Sequence, residues 1–209
     1  MLLPSHSYWL KATEFLSHDS VMQCLVNQFQ GSIVQSRGDA FYTLVRSVIG
    51  QQISVRAADA VWGRLGALLP ELHPDAVLAL EEIQLKSCGL SRQKIAYLRN
   101  VSVFFIAHGI TTPDYWNDMD DSAVIGHLTQ IKGIGRWSAE MFLIFCLMRP
   151  DVFPIDDIGL QRALCLHYGL LQKPFPMHHA LLLADSWRPY RSVATWYLWR
   201  SIDPAEVGY

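Results

Sequence analysis

Apolar residues recur at intervals of three to four positions along almost the whole of this 209-residue chain. One example is the run Phe41, Leu44, Val45, Val48 and Ile49. This spacing places apolar side chains on one face of an α-helix, whereas the alternation that is typical of half-buried strands is missing. The sequence therefore predicts an all-α protein.

The periodic segments give approximate bounds for the helices. We expect helices at about 7–16, 19–29, 39–50, 54–68, 75–83, 91–108, 122–130, 136–147, 157–168, 177–185 and 190–201. The longer breaks at 69–74, 109–121 and 173–177 are interpreted as loops or lobe edges because they contain prolines and turn residues. In the second break, an acidic run ending at Asp121 predicts a solvated loop whose last member caps the next helix.

Size and composition exclude several classes of protein. A chain of this length with 51% hydrophobic residues can bury a core, as one domain or as two small packed lobes. There is no internal repeat of solenoid length. The N-terminus lacks a signal-peptide pattern, and no apolar run reaches membrane-spanning length. We therefore expect a soluble, intracellular protein.

Cysteine and histidine spacing argues against a metal site. Cys24, Cys88, Cys146 and Cys165 lie far apart in apolar helical contexts, and we expect reduced core thiols. The eight histidines show no ligand spacing beyond the adjacent pair His178-His179. We expect no metal.

The overall charge of the chain gives no indication of a polyanionic partner. Charged residues make up 17% of the chain and the formal net charge is −2. Binding to DNA nevertheless requires only a local basic surface that neutralises a few phosphates. The placement of individual cations therefore decides the question.

The most informative segment is a glycine turn at Gly133-Ile134-Gly135, where one predicted helix ends and another begins. Glycine tolerates left-handed backbone angles and has no Cβ, so peptide N–H groups at the start of the second helix can face an anion such as a phosphate. Lys132 and Arg136 flank the turn and supply positive charge. An isolated turn of this kind is more often an ordinary corner between helices.

Two adjacent carboxylates follow this segment at the start of a further helix. The stretch from Asp151 to Leu160 reads Asp-Val-Phe-Pro-Ile-Asp-Asp-Ile-Gly-Leu and contains Asp156 and Asp157. At a helix start, the usual task of aspartate is to cap exposed N–H groups. Capping is therefore the alternative explanation for each of them.

The hairpin, the second helix and the Asp-Asp-x-x-Leu motif together resemble the helix-hairpin-helix superfamily of DNA glycosylases, most of all its 3-methyladenine glycosylase II branch. Ser47-Val-Ile-Gly-Gln-Gln-Ile-Ser54 and Cys88-Gly-Leu-Ser-Arg-Gln-Lys94 resemble further stretches of that branch. The resemblance covers roughly residues 17–200 and implies a two-lobed helical fold with the active-site cleft between the lobes. The lobe with the hairpin would span 32–149, and the second would combine 1–31 with 150–209.

The resemblance implies an activity and a catalytic residue. A monofunctional member hydrolyses the N-glycosidic bond of alkylated purines, such as 3-methyladenine and 7-methylguanine, in base excision repair. We expect it to act as a monomer on double-stranded DNA that contains damaged bases. The family's catalytic aspartate aligns with Asp157, where a carboxylate would stabilise oxocarbenium character on the sugar. Asp156 would then be a cap or a supporting residue.

DNA-binding roles follow from the same resemblance. The loop at Gln51 and Gln52 is the candidate wedge that fills the gap left by a flipped nucleotide, with Gln52 as the inserting residue. The alternative is an ordinary interhelical loop. The hairpin would contact DNA through Lys132, Gly133, Ile134, Gly135 and Arg136.

Trp137 stands where lyase-competent relatives carry the lysine that forms a Schiff base, so we expect base removal without strand cleavage. Its indole could also attract a cationic purine, with core packing as the alternative. Trp187 and Tyr190 are further candidates for the base pocket, again against a core role. The closely spaced C-terminal cysteines of iron–sulfur relatives are missing, so we expect no cluster, although the hairpin backbone could hold a monovalent cation.

Two competing functions stay open from the sequence. The first is a helix-hairpin-helix module that binds DNA without catalysis. The second is a bifunctional glycosylase and lyase for oxidised bases. Base release separates the enzyme from the binding module, and covalent trapping on DNA separates the lyase from the hydrolase.

Overall fold

The computed structural model describes residues 4–34, 36 and 38–203, and side chains from residue 8 onward. Within these ranges the chain is helical and contains no strand, which confirms the predicted all-α class. The helices are α1 Pro4–Leu16, α2 Ser20–Gln28, α3 Ala40–Gly50, α4 Val55–Leu68, α5 Pro74–Ala79, α6 Glu82–Ser87, α7 Arg92–Ala107, α8 Asp121–Leu128, α9 Arg136–Phe145, α10 Ile158–Tyr168, α11 Met177–Asp185 and α12 Arg191–Ile202.

The helix predicted at 75–83 is wrong, because this region forms α5 and α6 with a break between them. The break is at Glu81, whose backbone N–H donates to the Gln84 side chain at 2.8 Å in a reciprocal capping box. A capping box satisfies two N–H groups that would otherwise lack partners at a helix start. The spacing of apolar residues runs through this position without interruption, so periodicity alone does not indicate the break.

The acidic loop differs from the prediction in two details. A 3₁₀ helix at Pro113–Trp116 interrupts it, and the Trp116 ring is fully buried, edge-on to Phe142 at 5.2 Å between centroids. The cap of α8 is Asp120, which accepts from Ala123 N at 2.7 Å, rather than the last aspartate of the run. The buried Trp116 side chain therefore anchors the loop. Taken alone, the acidic residues around it predict a solvated segment.

The chain divides into two compact units. One spans Ser36–Leu147 and contains α3 to α9. Its centre is α3, which packs against α7 and α9 and buries Leu44, Val48 and Ile49 completely. Each such side chain stabilises the fold by about 1.5–3 kcal/mol relative to an exposed one. Helix α9 is buried along 138–145, so it forms the interior of this unit.

The other unit joins the segment before Ser36 to the segment from Met148 onward. Its central element is α12, buried along 192–199 and packed against α1, α2 and α10. Aromatic side chains fill much of this core, with Trp9 edge-on to Trp196 at 5.3 Å. None of the helices in the described part of the chain is long and apolar enough to cross a membrane.

Candidate functional site

The glycine turn joins α8 to α9 as a short hairpin. Gly133 adopts a φ of +109°, in the region that favours glycine, and Ile134 N donates to Ile131 O at 2.9 Å to close the turn. Ile131 and Ile134 are both 4% exposed. The turn is therefore anchored by two apolar side chains, and Gly135 begins α9 as its N-cap residue without a capping side chain.

Tyr97 of α7 packs directly against Gly133. A Cβ at this position would lie 2.1 Å from Tyr97 Cγ, well inside van der Waals contact. Gly133 is thus required both for its backbone angle and for the close approach of the ring. This contact is not predictable from the sequence, because a tyrosine in the middle of a helix has no local feature that marks its partner.

Two side-chain amides hold the hairpin from outside. Asn100 Nδ2 donates to Lys132 O at 2.9 Å, and Gln51 Nε2 donates to Gly133 O and to Ser138 Oγ, both at 3.0 Å. These contacts connect the turn to α7 and to the end of α3.

Gln52 differs from Gln51 in its exposure and in its backbone conformation. Its side chain is exposed, and its φ of +59° lies in the left-handed region. Left-handed backbone costs a non-glycine residue about 1–2 kcal/mol. Such strain persists only where the surroundings impose it, and it occurs often at ligand-binding sites. Gln52 therefore combines exposure with an unusual backbone conformation, and its role as a wedge stays a prediction.

The hairpin and the Gln51-Gln52 loop line one cleft of about 370 Å³. The remaining walls come from the start of α7. Lys94 stands in this wall, and its Nζ donates to Ile49 O at 2.6 Å near the end of α3. Burial lowers the pKa of Lys94. The sequence singled out both loops separately, and the structure brings them together.

The charges beside the hairpin are unequal. Lys132 is exposed. The Arg136 side chain is 67% exposed, but its Nε donates to Glu140 at 2.9 Å, and the Glu140 side chain is only 5% exposed. Among the residues that the structure describes, Lys132 has no salt-bridge partner, whereas the charge of Arg136 is partly offset within α9.

Asp157 is the N-cap residue of α10. Its Oδ1 accepts from Leu160 N at 2.6 Å and from Trp199 Nε1 at 2.8 Å. Of the two roles expected for Asp156, cap or supporting residue, the cap is wrong, because Asp157 caps the helix itself. Capping and catalysis are compatible roles, since a capping carboxylate is held in a fixed orientation.

The aromatic candidates have different environments. Trp137 is half-buried in the first turn of α9, and Tyr190 is half-buried before α12, with its ring 5.6 Å from that of Phe15. Trp187 is 1% exposed and donates its indole N–H to Asp19 Oδ2 at 3.2 Å. The base-pocket role expected of Trp187 is therefore corrected to a core role. The contact of Trp199 with Asp157 was not predicted from the sequence. The only indication was that its helix, α12, is rich in aromatic residues.

The glycine hairpin and the Asp157 motif are the two features that carry the resemblance drawn from the sequence. Residues 45–189 match the model of the HhH-GPD superfamily of base excision DNA repair proteins. The chain belongs to this superfamily, which confirms the resemblance drawn from the hairpin and the Asp-Asp motif.

Curated relatives carry related names. DNA-3-methyladenine glycosylase 1 of Schizosaccharomyces pombe is 31% identical over 180 residues, covering 85% of this chain and 78% of the relative. The putative DNA-3-methyladenine glycosylase YfjP of Bacillus subtilis is 31% identical over 193 residues, covering 91% of this chain. The matched region spans 60% of that relative's own length.

Several solved structures of DNA glycosylases are similar to this chain in fold. The S. pombe 3-methyladenine DNA glycosylase in complex with abasic DNA superposes with a TM-score of 0.84 at 29% identity, covering 95% of this chain and 100% of that one. A DNA-3-methyladenine glycosidase from Bacillus halodurans gives 0.73 at 31% identity, covering 90% and 86%. An 8-oxoguanine glycosylase/lyase from Clostridium acetobutylicum shares the fold at 15% identity, with a TM-score of 0.72.

Proposed function

We propose that this protein is a monofunctional DNA glycosylase that hydrolyses the N-glycosidic bond of alkylated purines, of the 3-methyladenine and 7-methylguanine type, in base excision repair. The observation that carries the proposal is the fixed Asp157 carboxylate at the start of α10, in a chain of this superfamily. The names of the relatives support the choice of alkylated bases.

The hairpin would hold the DNA strand. The peptide N–H groups at the start of α9 can face a phosphate, and Lys132 adds charge at the same turn. A glycosylase must move its target nucleotide out of the base stack before it reaches the glycosidic bond. Gln52, exposed at the edge of the same cleft, would fill the space that the nucleotide leaves.

Asp157 would act on the sugar. As the C1′–N bond breaks, its electron pair leaves with the base and positive charge develops on C1′ and the ring oxygen. The fixed carboxylate stabilises this charge, and water then adds to C1′ and loses a proton to give an abasic site. An N3- or N7-alkylated purine is already cationic, so it leaves as a neutral base and needs no strong general acid.

Trp137 would limit the reaction to hydrolysis. No amine nucleophile stands at this position of α9, so the enzyme would form no Schiff base with the sugar. The half-buried indole could instead stack on a cationic purine, an interaction worth about 0.5–2 kcal/mol. Tyr190 is a second aromatic candidate for contact with the flipped base.

The partner would be double-stranded DNA, bound by one copy of the chain. A repair activity of this kind requires access to the chromosome, so we place the protein in the cytoplasm at the nucleoid. We propose that it uses no iron–sulfur cluster.

The decisive experiment uses duplexes that each carry one defined lesion. After incubation with the protein, alkali cleaves any abasic site and reports excision of that base. We expect cleavage at 7-methylguanine and 3-methyladenine, and no covalent complex after borohydride reduction. DNA binding without any base release would favour the non-catalytic module, and a trapped complex would favour the bifunctional lyase.

A further inference from the structure

Trp199 reaches the carboxylate of Asp157 from a different helix. Its indole Nε1 donates to Oδ1 at 2.8 Å, and Leu160 N of α10 donates to the same oxygen at 2.6 Å. Trp199 is 7% exposed in the aromatic core along α12. A rigid buried ring therefore fixes one of the two donors, whereas a capping bond alone comes only from the aspartate's own helix.

Gly159 leaves room for this contact. It lies in the first turn of α10, next to the hydrogen bond between the carboxylate and the indole. A Cβ at this position would stand 3.0 Å from Asp157 Oδ1 and 3.4 Å from Trp199 Cδ1. Glycine lowers helix stability by about 1 kcal/mol relative to alanine, so a side chain here would favour the helix but crowd the hydrogen bond.

We propose that Trp199 is a positioning residue that orients the Asp157 carboxylate, and that Gly159 provides the space in which this orientation is possible. The inference rests on the proposed glycosylase function. Two donors from two helices on one oxygen restrict rotation of the carboxylate about its Cβ–Cγ bond. Stabilisation of charge on the sugar depends on such preorganisation, because a group that must turn during the reaction loses part of its effect.

The inference predicts a loss of rate without a loss of DNA affinity. Trp199→Phe removes the donor and keeps most of the ring packing. Trp196→Phe is the matched control, because Trp196 is a 3% exposed indole of the same helix. We expect single-turnover excision of 7-methylguanine by Trp199→Phe to be about 10-fold to 100-fold slower, with an unchanged duplex Kd. Equal rates for the two variants would overturn the inference.

Gly159→Ala separates positioning from stability. We expect this variant to unfold at the same or a higher temperature than the wild type and to excise the base about 10-fold more slowly. If this region had only a structural role, a slower excision rate would be accompanied by a lower unfolding temperature. Wild-type excision by a Gly159→Ala variant that folds normally would contradict the role of Gly159.

A spectroscopic measurement tests the contact without any catalysis. The indole ¹⁵N–¹H resonance of Trp199, assigned from its loss in Trp199→Phe, should move upfield in Asp157→Ala because the acceptor is removed. An unmoved resonance would show that the hydrogen bond does not exist. If the wild-type protein excises no base, the proposed function fails, while this resonance still decides whether Trp199 orients the carboxylate.

Discussion

Gln51 and Gln52 are neighbours in the chain and have opposite environments. Gln51 uses its amide nitrogen on Gly133 O and Ser138 Oγ. Gln52 is exposed on a left-handed backbone. The first therefore contributes to the shape of the hairpin, whereas the second contributes little to stability and is available to DNA.

Substitutions at these two positions should separate stability from activity. We expect Gln51→Ala to lower the free energy of unfolding by about 1–2 kcal/mol, because two acceptors lose their donor. Gln52→Gly should leave it unchanged or raise it, because glycine relieves the left-handed angle. Excision by Gln52→Gly should nevertheless fall roughly ten-fold, since the wedge is lost. Denaturant titration and single-turnover kinetics test both; normal excision by Gln52→Gly would rule out the wedge.

The family motif points to Asp157 as the catalytic carboxylate, whereas the residues themselves leave both aspartates as candidate caps. The sequence does not show what surrounds this carboxylate in the fold. Trp199 escaped notice because its hydrogen bond joins positions 42 residues apart. Contacts of this kind depend on how helices pack, and periodicity within one helix does not encode them.

At the scale of elements, the hairpin combines a strained turn with external support. Gly133 meets the Tyr97 ring, whereas a Cβ at Gly135 would meet open space. The two positions of this motif are therefore glycine for different physical reasons. Gly133 is required by the fold, whereas Gly135, under the proposed function, would leave the start of α9 accessible to a phosphate.

Alanine substitutions should distinguish these two reasons. We expect Gly133→Ala to destabilise the protein by about 3 kcal/mol or more, because it combines an unfavourable φ with a steric clash. Gly135→Ala should cost no more than about 1 kcal/mol as a poorer N-cap. Its affinity for duplex DNA should fall several-fold, because the methyl group obstructs the N–H groups. Thermal unfolding and DNA titration measure both, and a Gly133→Ala protein as stable as the wild type would contradict this account.

Helix type and approximate position were well predicted because amphipathic periodicity is a strong signal. The boundary errors have local causes. The capping box at Glu81 and Gln84 divides a predicted helix, and Trp116 anchors a loop that its aspartates had marked as solvated. In both places a single side-chain contact overrides the average character of the segment.

At the scale of the whole molecule, the net charge of −2 conceals a local basic site. Lys132 lies exposed at the hairpin, and Arg136 is partly offset by Glu140. Counterion release depends on the cations that meet phosphates and not on the sum over the chain. A slightly acidic protein can therefore bind DNA through one small surface.

Salt dependence tests this localisation. We expect Lys132→Ala to reduce the slope of log Kd against log salt by about 1, as one phosphate contact is lost. Lys11→Ala, which removes an exposed lysine of α1, should leave the slope unchanged. Equal slopes for the Lys132 variant and the wild type would place the DNA contact elsewhere.

The central claim is that the charge of the Asp157 carboxylate performs the chemistry, and Asp157→Asn tests it most directly. Asparagine caps helices as well as aspartate does, so α10 should stay intact while the charge is lost. We predict that single-turnover release of 7-methylguanine from a duplex falls about 100-fold or more, with unchanged thermal unfolding and DNA affinity. Excision by Asp157→Asn at the wild-type rate would contradict the mechanism.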